Sequence, residues 1–262
     1  MLRRLSLILL LALAIAAPAR AEKKALFDNA HAEQAGNADW VIDNDQPIPS
    51  PAQSGIGANT AGTFWTGAIS SYGVDLVKRG YTVHTNTGTI TYGSGTNAYD
   101  LSNYDVFIVP EPNTLFTAAE ATAILAFVQN GGGLIAISDH SGADRNNDGY
   151  DSPMIWNALD PTHLLGVHFG VSADANNNIV QTSTNVATST ADSITHGPVG
   201  VVTGLAFHNG TTMTLYPAVN ATVRGEVPAQ AGLEALLNAH GQGRCAITLD
   251  PAQRRPGQQP YQ

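Results

Sequence analysis

Apolar and polar positions along the chain alternate in a way that lays out strands and helices in turn. Lys24-Ala-Leu-Phe-Asp28 is a short apolar run closing on an acid, and it predicts a first strand. A long polar stretch follows, punctuated by Pro47, Pro49 and Pro51. Ala68 to Lys78 predicts a helix, with Gly80 as its C-cap. Tyr81-Thr-Val-His-Thr85 alternates like a strand, and the Gly/Thr-rich stretch from Gly88 to Asn97 predicts loop. The best-defined unit begins at Asp105. Val106-Phe-Ile-Val109 is continuously apolar, as a strand buried on both faces requires. Thr117 and Glu120 have the spacing of a capping box. Ala121, Ile124, Leu125 and Val128 form the stripe of the helix behind it. Gly131-Gly132-Gly133 stops that helix, and Leu134-Ile-Ala-Ile137 predicts another buried strand. Strand, helix and strand in this order imply a right-handed crossover and a parallel sheet.

Downstream of Asp151 the periodicity fades. Residues 171–195 are rich in Asn, Ser and Thr with no helical period. Leu233, Leu236 and Leu237 predict a late helix ending near His240-Gly241, and Arg244 to Leu249 predicts a last strand. Pro251 to Gln262 predicts a disordered tail. With neither an internal repeat nor a domain boundary, residues 22–250 predict one domain: α/β, doubly wound, with a mostly parallel sheet.

The first 21 residues change the picture of where the protein works. Arg3 and Arg4 precede an almost unbroken apolar run from Leu5 to Ala17, and Ala19-Arg20-Ala21 has the small-x-small pattern of a cleavage site. The run is short for a membrane span. The expectation is a signal peptide, an exported mature chain beginning at Glu22, and a periplasmic or secreted location without a membrane anchor. The chain carries 12 basic and 21 acidic residues. Three of the basic ones, Arg3, Arg4 and Arg20, lie in the leader, so its removal takes the net charge from −9 to −12. A charge of that sign disfavours nucleic acid and anionic membranes as partners and suits cation binding. Cys245 is the single cysteine, which excludes an intramolecular disulfide. Its setting in Arg244-Cys245-Ala246-Ile247 reads as a buried strand thiol.

Parallel α/β sheets bind ligands beyond the carboxyl ends of their strands, so the residues after each predicted strand are the candidates for chemistry. They are Asp28, His31 and Glu33 after the first strand, Glu111 and Asn113 after the 106–109 strand, and Ser138, Asp139 and His140 after the 134–137 strand. Asp144-Arg-Asn146-Asn-Asp148-Gly149-Tyr-Asp151 then places oxygen-bearing side chains at alternate positions ahead of a glycine. That is how an EF-hand-type calcium loop begins, although Ile155 stands where such a loop has its bidentate Glu. Asp144, Asn146, Asp148 and Asp151 are therefore the expected Ca²⁺ ligands. A solvated turn rich in Asn and Asp is the plain alternative. His140 beside Asp139 is the expected general base, with Asp139 or Glu111 orienting it. Asp28, His31, Glu33 and Asn113 are expected to bind substrate. His163, His168, His208 and His240 lack such a setting and read as structural or surface residues. The chain has neither a Gly-x-Ser-x-Gly elbow nor a Walker phosphate loop.

At Tyr104-Asp105-Val-Phe-Ile-Val-Pro110 and at Ile124-Leu-Ala-Phe-Val-Gln-Asn-Gly-Gly-Gly-Leu-Ile-Ala-Ile137 the chain resembles the class I glutamine amidotransferase-like superfamily, in particular the branch resembling trehalose-utilisation proteins. Asp192-Ser-Ile-Thr-His196-Gly197 is similar to a short motif late in that branch. The resemblance implies a flavodoxin-like doubly wound fold. It departs from the amidotransferases where their nucleophilic Cys follows the strand matching Leu134–Ile137, because this chain has Ser138, Asp139 and His140 there. Cysteine-based amidotransferase or peptidase chemistry is thereby disfavoured. After Leu249 a doubly wound domain would often add a helix; the Pro/Gln-rich text found instead points to truncation or an altered reading frame. The expected function is a secreted, calcium-assisted hydrolase of a small polar substrate, such as an ester, a lactone or a sugar derivative. The alternative is a non-catalytic module that binds a glycan or a protein in the same crevice.

Overall fold

The structure, a computed structural model, describes residues 22–170, 177–182, 196–197, 200–201, 205–211 and 213–216. The leader, Asp192–Thr195, the late helix around Leu233–Leu237, His240, the Cys245 strand and the tail all lie outside the described residues.

Strand β1 (Lys23–Asp28) leads through a long loop to helix α1 (Ser70–Lys78) and strand β2 (Tyr81–Asn86). Strand β3 (Val106–Pro110), helix α2 (Ala118–Gln129) and strand β4 (Gly133–Ile137) follow. The four strands form one parallel sheet in the order β2-β1-β3-β4. The chain thus winds from β1 toward one edge, then crosses back to build toward the other. This is an α/β doubly wound fold compatible with the flavodoxin-like arrangement, and its topological switch point lies between β1 and β3.

Both faces of the sheet are covered, which explains the continuous apolar runs. Leu26, Phe107, Val109, Leu134 and Ala136 share one core with Ala123, Ile124, Phe127 and Val128 of α2. Ala25, Phe27, Val83, Ile108 and Ile137 share the other with Val74 of α1 and with Trp65 and Ile42 of the long loop. Burial of each such large side chain contributes roughly 1.5–3 kcal/mol. The capping box forms as expected, with Thr117 accepting from the Glu120 amide and Glu120 from that of Thr117. The buried face of α2 is rotated from the expected stripe: Ala123 and Phe127 are buried, whereas Ala121 and Leu125 are only partly so. At Gly132 an added Cβ would lie 2.2 Å from the Phe127 ring, so the helix stop is also a close approach of backbone to core.

Beyond β4, helix α3 (Ser152–Leu159) starts at Asp151 and buries Trp156 and Leu159 in the α2-side core. Strand β5 (Val167–Phe169) pairs antiparallel with β10 (Met213–Leu215). Strands β6 (Asn177–Thr182) and β9 (Leu205–Gly210) pair likewise, as do β7 (His196–Gly197) and β8 (Gly200–Val201). No helix among the described residues is long and apolar enough to cross a membrane.

Candidate functional site

The carboxyl ends of β1, β3 and β4 bring two clusters of charged side chains to the switch point. In the first, Asp28 ends β1 and is wholly buried, as are Glu33 and, nearly so, His31. His31 Nδ1 lies 2.6 Å from Asp28 Oδ2. The His31 amide donates to Glu33 Oε2 at 2.9 Å, while Glu33 Oε1 is buried without a hydrogen-bond partner. From β2, Asn86 Nδ2 donates to Asp28 Oδ1 at 3.2 Å. From α2, Glu120 Oε2 lies 3.6 Å from His31 Nε2. The His31 ring packs on Phe116, with centroids 4.2 Å apart.

Burial alone would lower the His31 pKa, but the hydrogen bond and charge of Asp28, then the charge of Glu120, outweigh it and raise the pKa. Glu33 is pushed well above the usual carboxylate range, first by burial and then by the charge of Asp28. Burial works against ionisation of Glu120 too, yet hydrogen bonds from Thr117 and the Ile90 amide hold its pKa below the ordinary value. One ligand atom each from Asp28, His31 and Glu33 lie within 4.8 Å of one another, so this buried group could hold a metal ion.

The second cluster centres on Arg145. Its Nε donates to Glu111 Oε1, one Nη to Asp139 Oδ2 at 2.5 Å and the other to Asn37 Oδ1 at 2.6 Å. One guanidinium thus ties together the loops after β1, β3 and β4. Gly36 makes this possible, because its backbone has φ +59° and a Cβ there would meet the Arg145 carbonyl oxygen at 3.0 Å. Glu111 also has a positive φ of 52°. Burial, then the charge of Asp139, pushes its pKa up to about 8 against the opposing pull of Arg145. Asn113 links the clusters: its amide donates to the His31 carbonyl at 2.7 Å, and its Oδ1 accepts from the Arg145 amide.

His140 sits beside this cluster, its side chain about a quarter exposed. Its Nδ1 donates to the Ser141 carbonyl oxygen at 2.8 Å, which leaves Nε2 as the ring nitrogen not engaged by that carbonyl. Asp139 Oδ1 accepts from the His140 amide at 2.7 Å and lies 4.0 Å from Nε2. A hollow of about 20 Å³ opens among Trp40, Ile69, Pro110, Glu111, Ile137, Ser138 and Asp139. That is room for about one water molecule.

The Asp144–Asp151 loop uses its side chains differently from the expected calcium loop. Asp144 accepts from the amides of Asp148 and Gly149, and Asp148 from that of Tyr150. Asn146 donates to the Asn113 carbonyl. Asp151 caps α3 through the Met154 amide at 3.0 Å and also accepts from the Gly142 amide at 2.6 Å. Asp144, Asp148 and Asp151 form no metal-capable group of the kind made by Asp28, His31 and Glu33. Local amides satisfy these short side chains, as Asx turns and helix caps do.

All eleven expected site residues thus lie at or beyond the carboxyl ends of the strands, with Asp28, His31 and Glu33 in one buried group and Glu111 and the partly buried Asp139 joined through Arg145. Three further residues escaped the sequence reading. Arg145 stands inside the calcium pattern as a spacer, Glu120 is accounted for by its cap, and Asn86 ends β2 as Asp28 ends β1. Asn86 is legible from its strand end; the other two become site residues only through tertiary contact.

Fold and site together define a doubly wound α/β protein with a buried, metal-capable carboxylate–imidazole group at its switch point. No protein-family model matches the chain, and no curated protein matches it. Among solved structures it is similar to the mmIFT52 N-terminal domain, at 14% identity and a TM-score of 0.44, over 72% of this chain and 67% of that one.

Proposed function

We propose that the chain is an exported, cation-assisted hydrolase of a small polar substrate, such as an ester, a lactone or a sugar derivative. The observation that carries this reading is the state of His140 at the β4 corner. Its Nδ1 donates to the Ser141 carbonyl, its side chain is partly exposed, and its Nε2 lies 4.0 Å from the Asp139 carboxylate. A neutral imidazole held this way accepts a proton from water, and Asp139 stabilises the cation that results. Glu111, with its pKa raised to about 8, is mostly protonated at neutral pH and would serve as a proton donor to the leaving group. Asn113 and the cation would orient the substrate. Calcium in the Asp144–Asp151 loop has the alternation of oxygens and the positive φ of Gly149 in its favour.

The small hollow beside Glu111 favours a second reading, a module that binds a glycan or a protein across the loop surface. A panel of ester, lactone and glycoside substrates, run on mature protein with added cation and with chelator, separates the two. On the hydrolase reading His140→Ala lowers turnover by at least about a hundredfold with an unchanged circular dichroism spectrum. Full activity in that variant removes His140 as the base; binding without turnover across the panel selects the module.

A further inference from the structure

We propose that Asp28, His31 and Glu33 form the binding site of a zinc-class transition-metal ion, with Glu120 as the positioning carboxylate behind His31. The arrangement of hydrogen bonds points there. Each of the three side chains has one atom engaged by a further neighbour, Asn86 for Asp28, the His31 amide for Glu33 and the Glu120 carboxylate 3.6 Å from His31 Nε2, and one atom turned to the shared space. Asp28 Oδ1 takes the Asn86 side chain, and Oδ2 faces His31. Glu33 Oε2 takes the His31 amide, and Oε1 is buried with no hydrogen-bond partner. His31 Nε2 faces Glu120, and Nδ1 faces Asp28. Metal-ligating histidines are commonly oriented in this way, the second ring nitrogen donating to a carboxylate. Glu120 is itself held by the Thr117 amide and hydroxyl and by the Ile90 amide, so it is an anchor rather than a loose ligand.

Charge requires something more at this place. Asp28, Glu33 and Glu120 set three carboxylates around one imidazole, and none of the four residues is more than 6% exposed. Buried carboxylates in such excess must be neutralised by protons or by a cation. The donor set chooses the kind of cation. Calcium takes about six to eight oxygens, whereas this group offers an imidazole nitrogen and two carboxylates with an oxygen each to give. One nitrogen and two oxygens, with water in the remaining position, suit tetrahedral zinc, whose ligand atoms stand roughly 3.4 Å apart at ordinary bond lengths. Donor atoms already within 4.8 Å reach that spacing with small side-chain rotations. The inference is independent of hydrolysis: the site holds its ion whether or not the crevice turns over a substrate.

The test uses the full chain, freed of metal by chelator and dialysis. Zinc and calcium are titrated separately by calorimetry, and bound metal is counted by elemental analysis. One equivalent of zinc is expected, with calcium failing to displace it. Glu33→Gln and His31→Ala should each weaken zinc by about a hundredfold or more, whereas Glu120→Gln should weaken it by about 10- to 100-fold at unchanged stoichiometry. Cobalt serves as a visible probe. Its tetrahedral absorption bands should appear in the wild type, shift in Glu120→Gln and vanish in Glu33→Gln. Melting curves show which variants are folded, and the near-isosteric Glu33→Gln decides the matter if His31→Ala does not fold. The proposal is overturned if the folded wild type binds no zinc, if Glu33→Gln binds it equally well, or if calcium is bound here in preference. Metal binding without hydrolysis of any panel substrate removes the hydrolase reading and leaves this one standing; metal-free hydrolysis does the reverse.

Discussion

Arg145→Met offers a direct measure of what holds the candidate site together. Met keeps much of the side chain's bulk and removes the charge that bridges Glu111, Asp139 and Asn37. The Arg145 side chain is 19% exposed, that of Glu111 4% and that of Asp139 13%, so all three groups are mostly desolvated. Removing one partner of a buried ion pair costs about 3–5 kcal/mol, and the partial exposure of Arg145 places the expected loss near 3 kcal/mol at pH 7. For a chain of this size that is a fall in Tm of roughly 6–12 °C. The pH dependence gives the sharper test. Glu111 titrates in the folded wild type at about 8, above its unfolded value, so the folded state binds the extra proton and stability falls as pH rises through this window. Arg145 opposes that rise, and losing it lifts the folded pKa further. Between pH 6 and 7 Glu111 is mostly protonated in both proteins, and the deficit should be flat. Above pH 8 the wild type ionises while the variant resists, and the gap should widen by up to about 1.4 kcal/mol per pH unit. Urea unfolding at pH 6, 7 and 9 measures this directly. With Glu111→Gln placed in both proteins, the Arg145→Met deficit should no longer widen with pH. A total deficit under about 1 kcal/mol would make Arg145 an ordinary surface charge. A gap equal at pH 6 and pH 9 would refute the role given to Glu111.

Two further expectations concern acid stability and export. Burial disfavours the charge of Asp100, but hydrogen bonds from the Ser102 and Thr91 side chains and the Ser94 and Gly93 amides outweigh it and lower its pKa. Its contribution is therefore full above the unfolded value near pH 4 and is lost as pH falls through the lower folded value. Asp100→Asn should cost about 2 kcal/mol at pH 7, and the gap between the two proteins' urea midpoints should shrink as pH falls below about 4; a gap unchanged by acid would sink the assignment. Expressed with its leader, the protein should leave the cytoplasm with Glu22 at its N-terminus by intact mass, and a membrane-bound product retaining Met1 would contradict the export proposal.

Strands buried on both faces declare themselves as unbroken apolar runs, and helix caps as fixed spacings of Thr and Glu. Those signals are local, so β1 to β4 and α2 were legible before any contact was known. The parallel-sheet rule leads from the strand ends to the candidate residues Asp28, His31, Glu33, Glu111, Asn113, Asp139 and His140. Helix α3 is short and its cap, Asp151, also completes the Asx-rich alternation of 144–151, so its start is hidden in that pattern. Strand β6 was missed because its Asn- and Thr-rich sequence lacks an apolar period, and partnership with β9 supplies what propensity does not.

What a local pattern cannot encode is which loop oxygen is already spent. Asp144 and Asp28 look equally available in the sequence, yet Asp144 has two neighbouring amides within reach of its carboxylate, whereas Asp28 meets an imidazole from its own loop, an amide group from β2 and, across His31, a carboxylate from α2. Arg145, Glu120 and Asn86 likewise acquire their roles from elements far away along the chain. Burial period and capping act between near neighbours, so the order of residues alone specifies the fold class and the sheet edge that carries the candidate residues. Which carboxylates end up buried together is set by folding, because desolvation and charge pairing depend on everything packed around a group.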